Sequence, residues 1–102
     1  MTKLHLEKAY LDIVKDILKK NISSKTVIAF GSRVTGKYKP HSDLDICVLG
    51  KTPLTLLELA NLHEDFSESS LPFRVDIVDW SSISAEFQNI IKTNSMVIQK
   101  EK

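Results

Sequence analysis

The chain has 102 residues, of which 42% are hydrophobic, and its 14 Lys and Arg against 13 Asp and Glu give a net charge of +1. This length fits a single domain, residues 1–102, with enough apolar material for one core. The balanced charge is unlike the strongly basic footprint of a DNA-binding protein, so no direct DNA binding is expected. No apolar run approaches the roughly 20 residues of a transmembrane helix, and the charged N-terminus lacks a signal-peptide core. A cytoplasmic protein with no membrane association is therefore expected.

The cysteine and histidine content argues against disulfide and zinc chemistry. The single cysteine, Cys47, has no partner for an internal disulfide. The three histidines are scattered without metal-ligand spacing. Cys47 lies in an apolar run, which predicts a small core residue rather than a reactive thiol.

The first half of the chain predicts one helix followed by two strands. Residues 4–20 carry apolar side chains at three- and four-residue steps, as in an amphipathic helix. The β-branched and aromatic run 26–30 predicts a buried strand that ends at Gly31. Residues 31–42 have no apolar periodicity and predict a loop or short helical turn. Residues 43–49 alternate acidic and apolar side chains before becoming wholly apolar, which predicts a second strand with a polar start.

The second half predicts a helix, a strand and a last helix. Thr52 is a candidate N-cap for the helix, with Pro53 at its first position. Residues 73–78 predict a third strand. Ser82 or Ser84 is the candidate cap of the last helix.

This order predicts a small α/β (α+β) domain in which helices pack on a mixed β-sheet. The connection between the first two strands is too short for a helical crossover, so these strands are expected to be antiparallel. The tail, residues 93–102, fits either the end of a helix or an edge strand.

Two aspartates at the start of the second strand are candidate metal ligands. Asp43 and Asp45 are two residues apart, so their side chains leave the same face of the strand, while Leu44, Ile46 and Val48 face the other way. Neighbouring carboxylates repel, and a hard cation that prefers oxygen ligands offsets the repulsion. Two such cations suit an in-line displacement at phosphorus.

A third carboxylate is predicted from the alternation of the third strand. Asp76 lies on the opposite face from Val75 and Ile77, where a charge is costly unless it is paired or metal-bound. If the strands are neighbours, Asp76 completes a site of three carboxylates. Asp79 has the opposite parity and is expected to end the strand or cap the next segment.

The residues before these aspartates predict contacts to phosphate. Gly31 lets a phosphate approach the backbone, and amide groups of a following helical turn favour an anion. Ser32 adds a hydroxyl donor and Arg33 a guanidinium fork. Ser42 could donate to a phosphate or orient an aspartate.

Three segments together resemble the polymerase-β-type nucleotidyltransferases. They are residues 31–36 (GSRVTG), 42–46 (SDLDI) and 71–80 (LPFRVDIVDW). Among these enzymes, the chain resembles the stand-alone minimal nucleotidyltransferases (MNT) of bacteria and archaea. The resemblance implies the polymerase-β-like nucleotidyltransferase fold. It places the metal-binding, catalytic carboxylates at Asp43, Asp45 and Asp76, and the phosphate contact at Gly31 and Ser32.

The resemblance also implies substrates and a partner. Mg²⁺, in a two-metal site, and ATP or another nucleoside triphosphate are the expected cofactor and substrate. Minimal nucleotidyltransferases are typically paired with a helical HEPN-class protein encoded by the neighbouring gene, and many pairs are toxin–antitoxin modules. In those modules the nucleotidyltransferase transfers AMP from ATP to a tyrosine of the HEPN ribonuclease and silences it.

Two other functions stay open at this stage. The chain is short for this chemistry, so the acceptor is expected on another subunit or a second copy, in a hetero-oligomer or homo-oligomer. One alternative is a non-catalytic nucleotide-binding subunit that neutralises a HEPN partner by binding. The weaker alternative is a small-molecule nucleotidyltransferase of the antibiotic-modifying kind, which would need a substrate-binding helical domain.

Overall fold

Residues 3–102 are described by a computed structural model, in which helices alternate with four β-strands. In chain order the elements are α1 (Lys8–Ile22), β1 (Val27–Phe30), α2 (Ser32–Thr35), β2 (Leu44–Val48), α3 (Leu56–Glu68), β3 (Val75–Asp79), a 3-10 turn (Trp80–Ser82), α4 (Ala85–Thr93) and β4 (Ser95–Gln99). Within this described range, no helix has the length and apolar character needed to cross a bilayer.

The four strands form one mixed sheet in the order β3-β2-β1-β4. Strand β1 is antiparallel to both β2 and β4, whereas β2 and β3 are parallel. The expected mixed sheet and the antiparallel first pair are confirmed. The tail that fitted two structures forms an edge strand, because residues 95–99 pair with β1.

Helices cover both faces of the sheet. One face carries the larger core, in which α1 and α3 pack on alternate residues of β2, namely Leu44, Ile46 and Val48. The other face carries a smaller core in which α4 packs through Ile91 on Cys47. Cys47 is therefore buried, as predicted, and the side chains of β2 point to opposite faces in the predicted alternation.

Helix α1 begins at Lys8, four residues later than the periodicity predicted. The His5 amide donates to the Arg33 carbonyl at 2.7 Å, which holds the preceding segment in a non-helical path. Leu4 and Leu6 still pack against the larger core. Their apolar spacing therefore reflects burial of an extended segment rather than an extra helical turn.

The predicted cap of α3 was wrong, and the cap of α4 is confirmed at one of its two candidates. Thr55, rather than Thr52, caps α3: its hydroxyl accepts from the Glu58 amide at 3.0 Å, and the Glu58 carboxylate accepts from the Thr55 amide at 2.9 Å. This reciprocal pair satisfies two amides that the helix leaves free. Ser84 caps α4 by accepting from the Phe87 amide at 3.2 Å.

Candidate active site

The pairing of the strands brings the three predicted carboxylates to one end of the sheet. Asp45 in β2 lies directly opposite Asp76 in β3, and Asp43 precedes β2 by one residue. Asp43 and Asp76 are exposed, whereas Asp45 is partly buried. We call this region, with Asp43, Asp45 and Asp76, the carboxylate end.

The electrostatics of the carboxylate end favour a cation. Burial, then the charge of Asp76, then that of Asp43 raise the pKa of Asp45 to about 6. Within residues 3–102, no three His, Cys, Asp or Glu side chains stand in an arrangement ready to hold a metal ion. The donor set nevertheless fits a hard divalent ion, because three carboxylates share one end of the sheet and a cation would offset the repulsion between their negative charges.

Gly31 holds the backbone against Asp45. Its φ of 82° belongs to the region that glycine tolerates and other residues avoid. A Cβ atom at this position would overlap Asp45 Oδ2 and lie 3.1 Å from Asp45 Cγ. Helix α2 begins at the next residue, Ser32. The segment predicted to contact phosphate therefore directly adjoins a predicted metal ligand.

The geometry argues against the phosphate contact predicted for Arg33. This side chain is only 5% exposed. Its guanidinium donates to three backbone carbonyls, those of Ser42 (3.0 Å), His5 (3.1 Å) and Pro40 (3.2 Å). It also lies 4.3 Å from the centre of the Phe73 ring. Arg33 is thus a scaffold residue that ties the N-terminal segment to the β1–β2 connection, rather than a fork open to ligand.

Ser42 lies in the same connection and takes part in its turn. Its hydroxyl oxygen accepts from the Lys39 amide at 2.7 Å, and its own amide donates to the Lys39 carbonyl at 2.9 Å. These bonds fix the residue that immediately precedes Asp43. The predicted contact of Ser42 with phosphate stays a prediction.

Asp79 has the capping role that its parity predicted. Its carboxylate accepts from the Leu54 amide at 2.8 Å, and from the amide and hydroxyl of Ser81 at 3.1 and 2.8 Å. These bonds start the 3-10 turn after β3 and join it to the segment before α3. The Asp79 carboxylate therefore has a structural role, whereas Asp76, three residues earlier, is exposed.

A cleft of about 540 Å³ opens beside the carboxylate end, between α3 and β3, and we call it the α3–β3 cleft. Asp43 and Asp76 both line it. The other lining residues are His41, His63, Phe66, Ser67, Leu71, Pro72, Phe73, Arg74 and Val75. A neighbouring cleft of about 600 Å³ is slightly larger, but none of the three aspartates lines it. The chemistry therefore points to the α3–β3 cleft.

Two residues of this cleft, His63 and Arg74, received no role from the sequence. A signal for Arg74 existed, because it shares the strand parity of Asp76. No comparable signal marked His63, which lies in the middle of a helix whose apolar residues indicated core packing in the first place. Its place at the site follows from how α3 crosses the sheet.

The sequence matches a family model described as "Polymerase beta, Nucleotidyltransferase" over residues 12–102. The chain belongs to this nucleotidyltransferase family. Members generally use a nucleoside triphosphate and a divalent metal ion, in agreement with the carboxylate donor set. The predicted fold is confirmed.

Two individual proteins show which members of the family this chain is similar to. The chain is 46% identical, over 98 residues, to the probable protein adenylyltransferase MntA of Haemophilus influenzae, covering 96% of this chain and 86% of that protein. It is also similar to a crystal structure of a toxin–antitoxin complex with AMP-PNP, with a TM-score of 0.74, 26% identity, and coverage of 90% and 74% of the two chains.

A second solved structure supports the fold alone. It is a tri-AMPylated HEPN toxin of Shewanella oneidensis in complex with an MNT antitoxin, with a TM-score of 0.68 and 24% identity. The match covers 91% of this chain and 71% of that one. The sheet and helices that position the carboxylates are therefore shared beyond the range of clear sequence similarity.

Proposed function

We propose that this chain transfers AMP from Mg-ATP to a tyrosine of a HEPN-class partner and so acts as an antitoxin. The observation that carries the proposal is the packing of Gly31 against Asp45 with Asp76 directly across the sheet. This packing brings the segment predicted to contact the nucleotide next to the three predicted carboxylate ligands. A nucleotidyltransferase needs this combination.

The donor half of the site is assigned to the segment after β1. Gly31 allows the triphosphate to approach the main chain, and Ser32 offers a hydroxyl donor to it. Because Gly31 touches Asp45, phosphates held here lie next to the carboxylates. Mg²⁺ ions held by Asp43, Asp45 and Asp76 would neutralise phosphate charge and lower the pKa of the attacking hydroxyl.

The proposed reaction is a displacement at the α-phosphorus of ATP. The phenolic oxygen of the acceptor tyrosine forms a bond to the α-phosphorus, the bond to the bridging oxygen breaks, and pyrophosphate leaves. The phenolic proton is lost to solvent. The residues of this chain orient the two reactants and keep the attacking and leaving oxygens in line.

The choice of AMP and of a HEPN acceptor is supported by the relatives. The Haemophilus influenzae protein is named a probable protein adenylyltransferase and is 46% identical to this chain. The similar toxin–antitoxin complex was solved with AMP-PNP, an ATP analogue. The same fold accompanies an AMPylated HEPN toxin in the Shewanella oneidensis complex.

The test combines the purified chain, Mg²⁺, a HEPN-class protein from the same genome and each of the four nucleoside triphosphates in turn. Intact-mass spectrometry should show addition of one or more AMP groups to the partner with ATP. Asp43→Asn and Asp45→Asn should each reduce the rate by roughly a thousandfold, as loss of a dominant electrostatic group does.

A stability measurement separates loss of chemistry from loss of fold. Burial and two neighbouring charges disfavour ionised Asp45, so Asp45→Asn should raise Tm by roughly 5 °C in metal-free buffer. If the partner acquires no adduct but is inhibited by binding, the chain is a non-catalytic neutraliser. An adduct only on a small molecule would instead support the antibiotic-modifying type of enzyme.

A further inference from the structure

The α3–β3 cleft combines a mostly polar lining with a few aromatic and apolar residues. Phe66 and Phe73 line it together with Arg74 and the imidazoles of His41 and His63. A volume of about 540 Å³ is in the range of ligand pockets. Its mixture of rings and cationic or imidazole groups suits an aromatic side chain that ends in a polar atom.

Arg74 is the guanidinium of this region that remains available. It is exposed, and among residues 3–102 its side chain makes no hydrogen bond or ion pair. Arg74 comes just before Val75, which pairs with Leu44, and the Leu44 amide donates to the Arg74 carbonyl at 2.9 Å. Arg74 and Asp76 both line the α3–β3 cleft, as does Asp43. The chain's other arginine, Arg33, is buried against three carbonyls.

The order of the strands separates the two sides of the reaction. β1, which is followed directly by Gly31, lies on one side of β2, and β3 lies on the other. Attacking and leaving oxygens lie roughly in line on opposite sides of the phosphorus. If the triphosphate lies at Gly31 and Ser32, the leaving pyrophosphate is on the β1 side. The acceptor must then enter from the β3 side, where the α3–β3 cleft opens.

We propose that the α3–β3 cleft receives the partner's tyrosine side chain and that Arg74 binds its phenol. This inference rests on the proposed function, since it assigns the acceptor side of the same site. The guanidinium lies against the ring or the phenolic oxygen and favours the negative charge that develops there during attack. The rings of Phe66 and Phe73 offer apolar surface against which the tyrosine ring packs, which restricts its orientation.

The test varies ATP and the HEPN partner independently in steady-state transfer assays with the full chain. Arg74→Gln should lower kcat/KM for the partner by about tenfold, the scale of one desolvated cation–aromatic contact. The KM for ATP, and the Kd for AMP-PNP measured by calorimetry, should stay within about twofold of wild type. Arg74→Lys should recover part of the loss, because it restores the charge without the planar fork.

A steric variant tests the cleft without touching Arg74. Ser67 is exposed on α3 and lines the cleft, so Ser67→Trp should fill it and block transfer to the partner while leaving AMP-PNP binding intact. Asn61→Trp is the matched control: Asn61 is exposed on the same helix and does not line the cleft. This control should transfer AMP at close to the wild-type rate. Thermal melts of all variants verify that the fold is retained.

The outcomes distinguish this inference from the proposed function. If wild type adds no AMP to the partner, the proposed function fails, and the acceptor assignment fails with it. If wild type is active but Arg74→Gln raises the KM for ATP and leaves the partner's kcat/KM unchanged, Arg74 belongs to the donor side. Unimpaired transfer by Ser67→Trp would place the tyrosine outside this cleft. In both latter cases the proposed function stands while the inference is overturned.

Discussion

The β1–β2 connection and strand β3 both bring charged residues to the carboxylate end, but they use them differently. In the connection, Arg33 is buried and its guanidinium is bonded to three main-chain carbonyls. In β3 and the residue just before it, Asp76 and Arg74 are exposed beside the α3–β3 cleft. A charged residue inside a recognisable motif is therefore not always a ligand group. Its remaining hydrogen-bonding capacity decides whether it serves the scaffold or the substrate.

The same division occurs within β3. Asp76 projects to the carboxylate end, whereas Asp79 accepts three hydrogen bonds from Leu54 and Ser81. One strand thus supplies a candidate catalytic carboxylate and a structural one, three residues apart. Substitutions at the two positions should have opposite profiles for activity and stability.

Within this comparison of the two regions, the largest expected effect comes from Asp76→Ala compared with Asp79→Ala. Asp76→Ala should reduce AMP transfer by about a hundredfold or more with little change in Tm, since it removes a carboxylate from the reacting centre. Asp79→Ala should lower the free energy of unfolding by about 1–3 kcal/mol, because it leaves amides of Leu54 and Ser81 without their acceptor. Transfer rates and chemical denaturation of both variants measure the two effects. If Asp76→Ala retained AMP transfer while Asp79→Ala lost it, Asp79 rather than Asp76 would be the catalytic carboxylate.

The next largest effect separates backbone strain from contact with the site. Gly31 and Gly36 both have positive φ, 82° and 88°. Alanine at either should cost about 1–2 kcal/mol of stability. Only at Gly31 would the added methyl overlap Asp45, since at Gly36 the nearest atom is His5 Nε2 at 3.4 Å. We therefore expect Gly31→Ala to slow transfer at least tenfold more than Gly36→Ala does, in assays at a temperature where both are folded. Equal slowing would mean that strain alone is responsible.

The sequence predicted the parts of the site that depend on strand alternation and missed those that depend on distant backbone groups. Alternation placed Asp43 and Asp45 on one face of their strand, put Asp76 on the opposite face from Val75 and Ile77, and set Asp79 aside. That Asp76 lies across from Asp45 depended on the two strands being neighbours, which they are. The role of Arg33 was missed because its acceptors are carbonyls up to 28 residues away. Main-chain acceptors leave no trace in side-chain identity, so the position of Arg33 beside Gly31 and Ser32 pointed to phosphate instead.

The predicted starts of α1 and α3 were wrong for two different reasons. Thr52-Pro53 and Thr55…Glu58 both carry local start signals for α3, and the reciprocal bonds of Thr55 and Glu58 prevailed over a proline at the first position. For α1, the amide bond from His5 to the Arg33 carbonyl kept the N-terminal segment out of the helix. The first error was a choice between two readable signals, whereas the second depends on a tertiary contact.

Arg33→Lys tests whether the connection is only scaffold. One ammonium cannot reproduce a planar fork bonded to three carbonyls, so the free energy of unfolding should fall by about 2 kcal/mol. At a temperature where the variant is folded, its KM for ATP should change by less than about threefold. Denaturant titration and ATP-dependent kinetics provide the two numbers. A clearly raised KM for ATP in a variant of normal stability would indicate instead that Arg33 contacts the phosphates.

The smallest expected effect concerns Cys47, which reports on how tightly β3 is held. Burial, and secondarily the charge of Asp79, raise the pKa of the Cys47 thiol to about 11. Since the raised pKa keeps the thiol protonated, only about a thousandth is thiolate at pH 8, and iodoacetamide should label the native chain very slowly.

Asp79→Asn should accelerate this labelling a few-fold, because it removes the second cause of the raised pKa and loosens the turn after β3. Asp76→Asn should not, since Asp76 neither caps that turn nor contributes to the raised pKa of Cys47. Equal acceleration of labelling by both substitutions would mean that a change of charge at either position exposes Cys47. Asp76 would then also stabilise β3, contrary to the purely catalytic role assigned to it. Labelling that changes only with Asp79 would show that β3 is anchored at its C-terminal end, which leaves the Arg74–Asp76 end exposed beside the cleft.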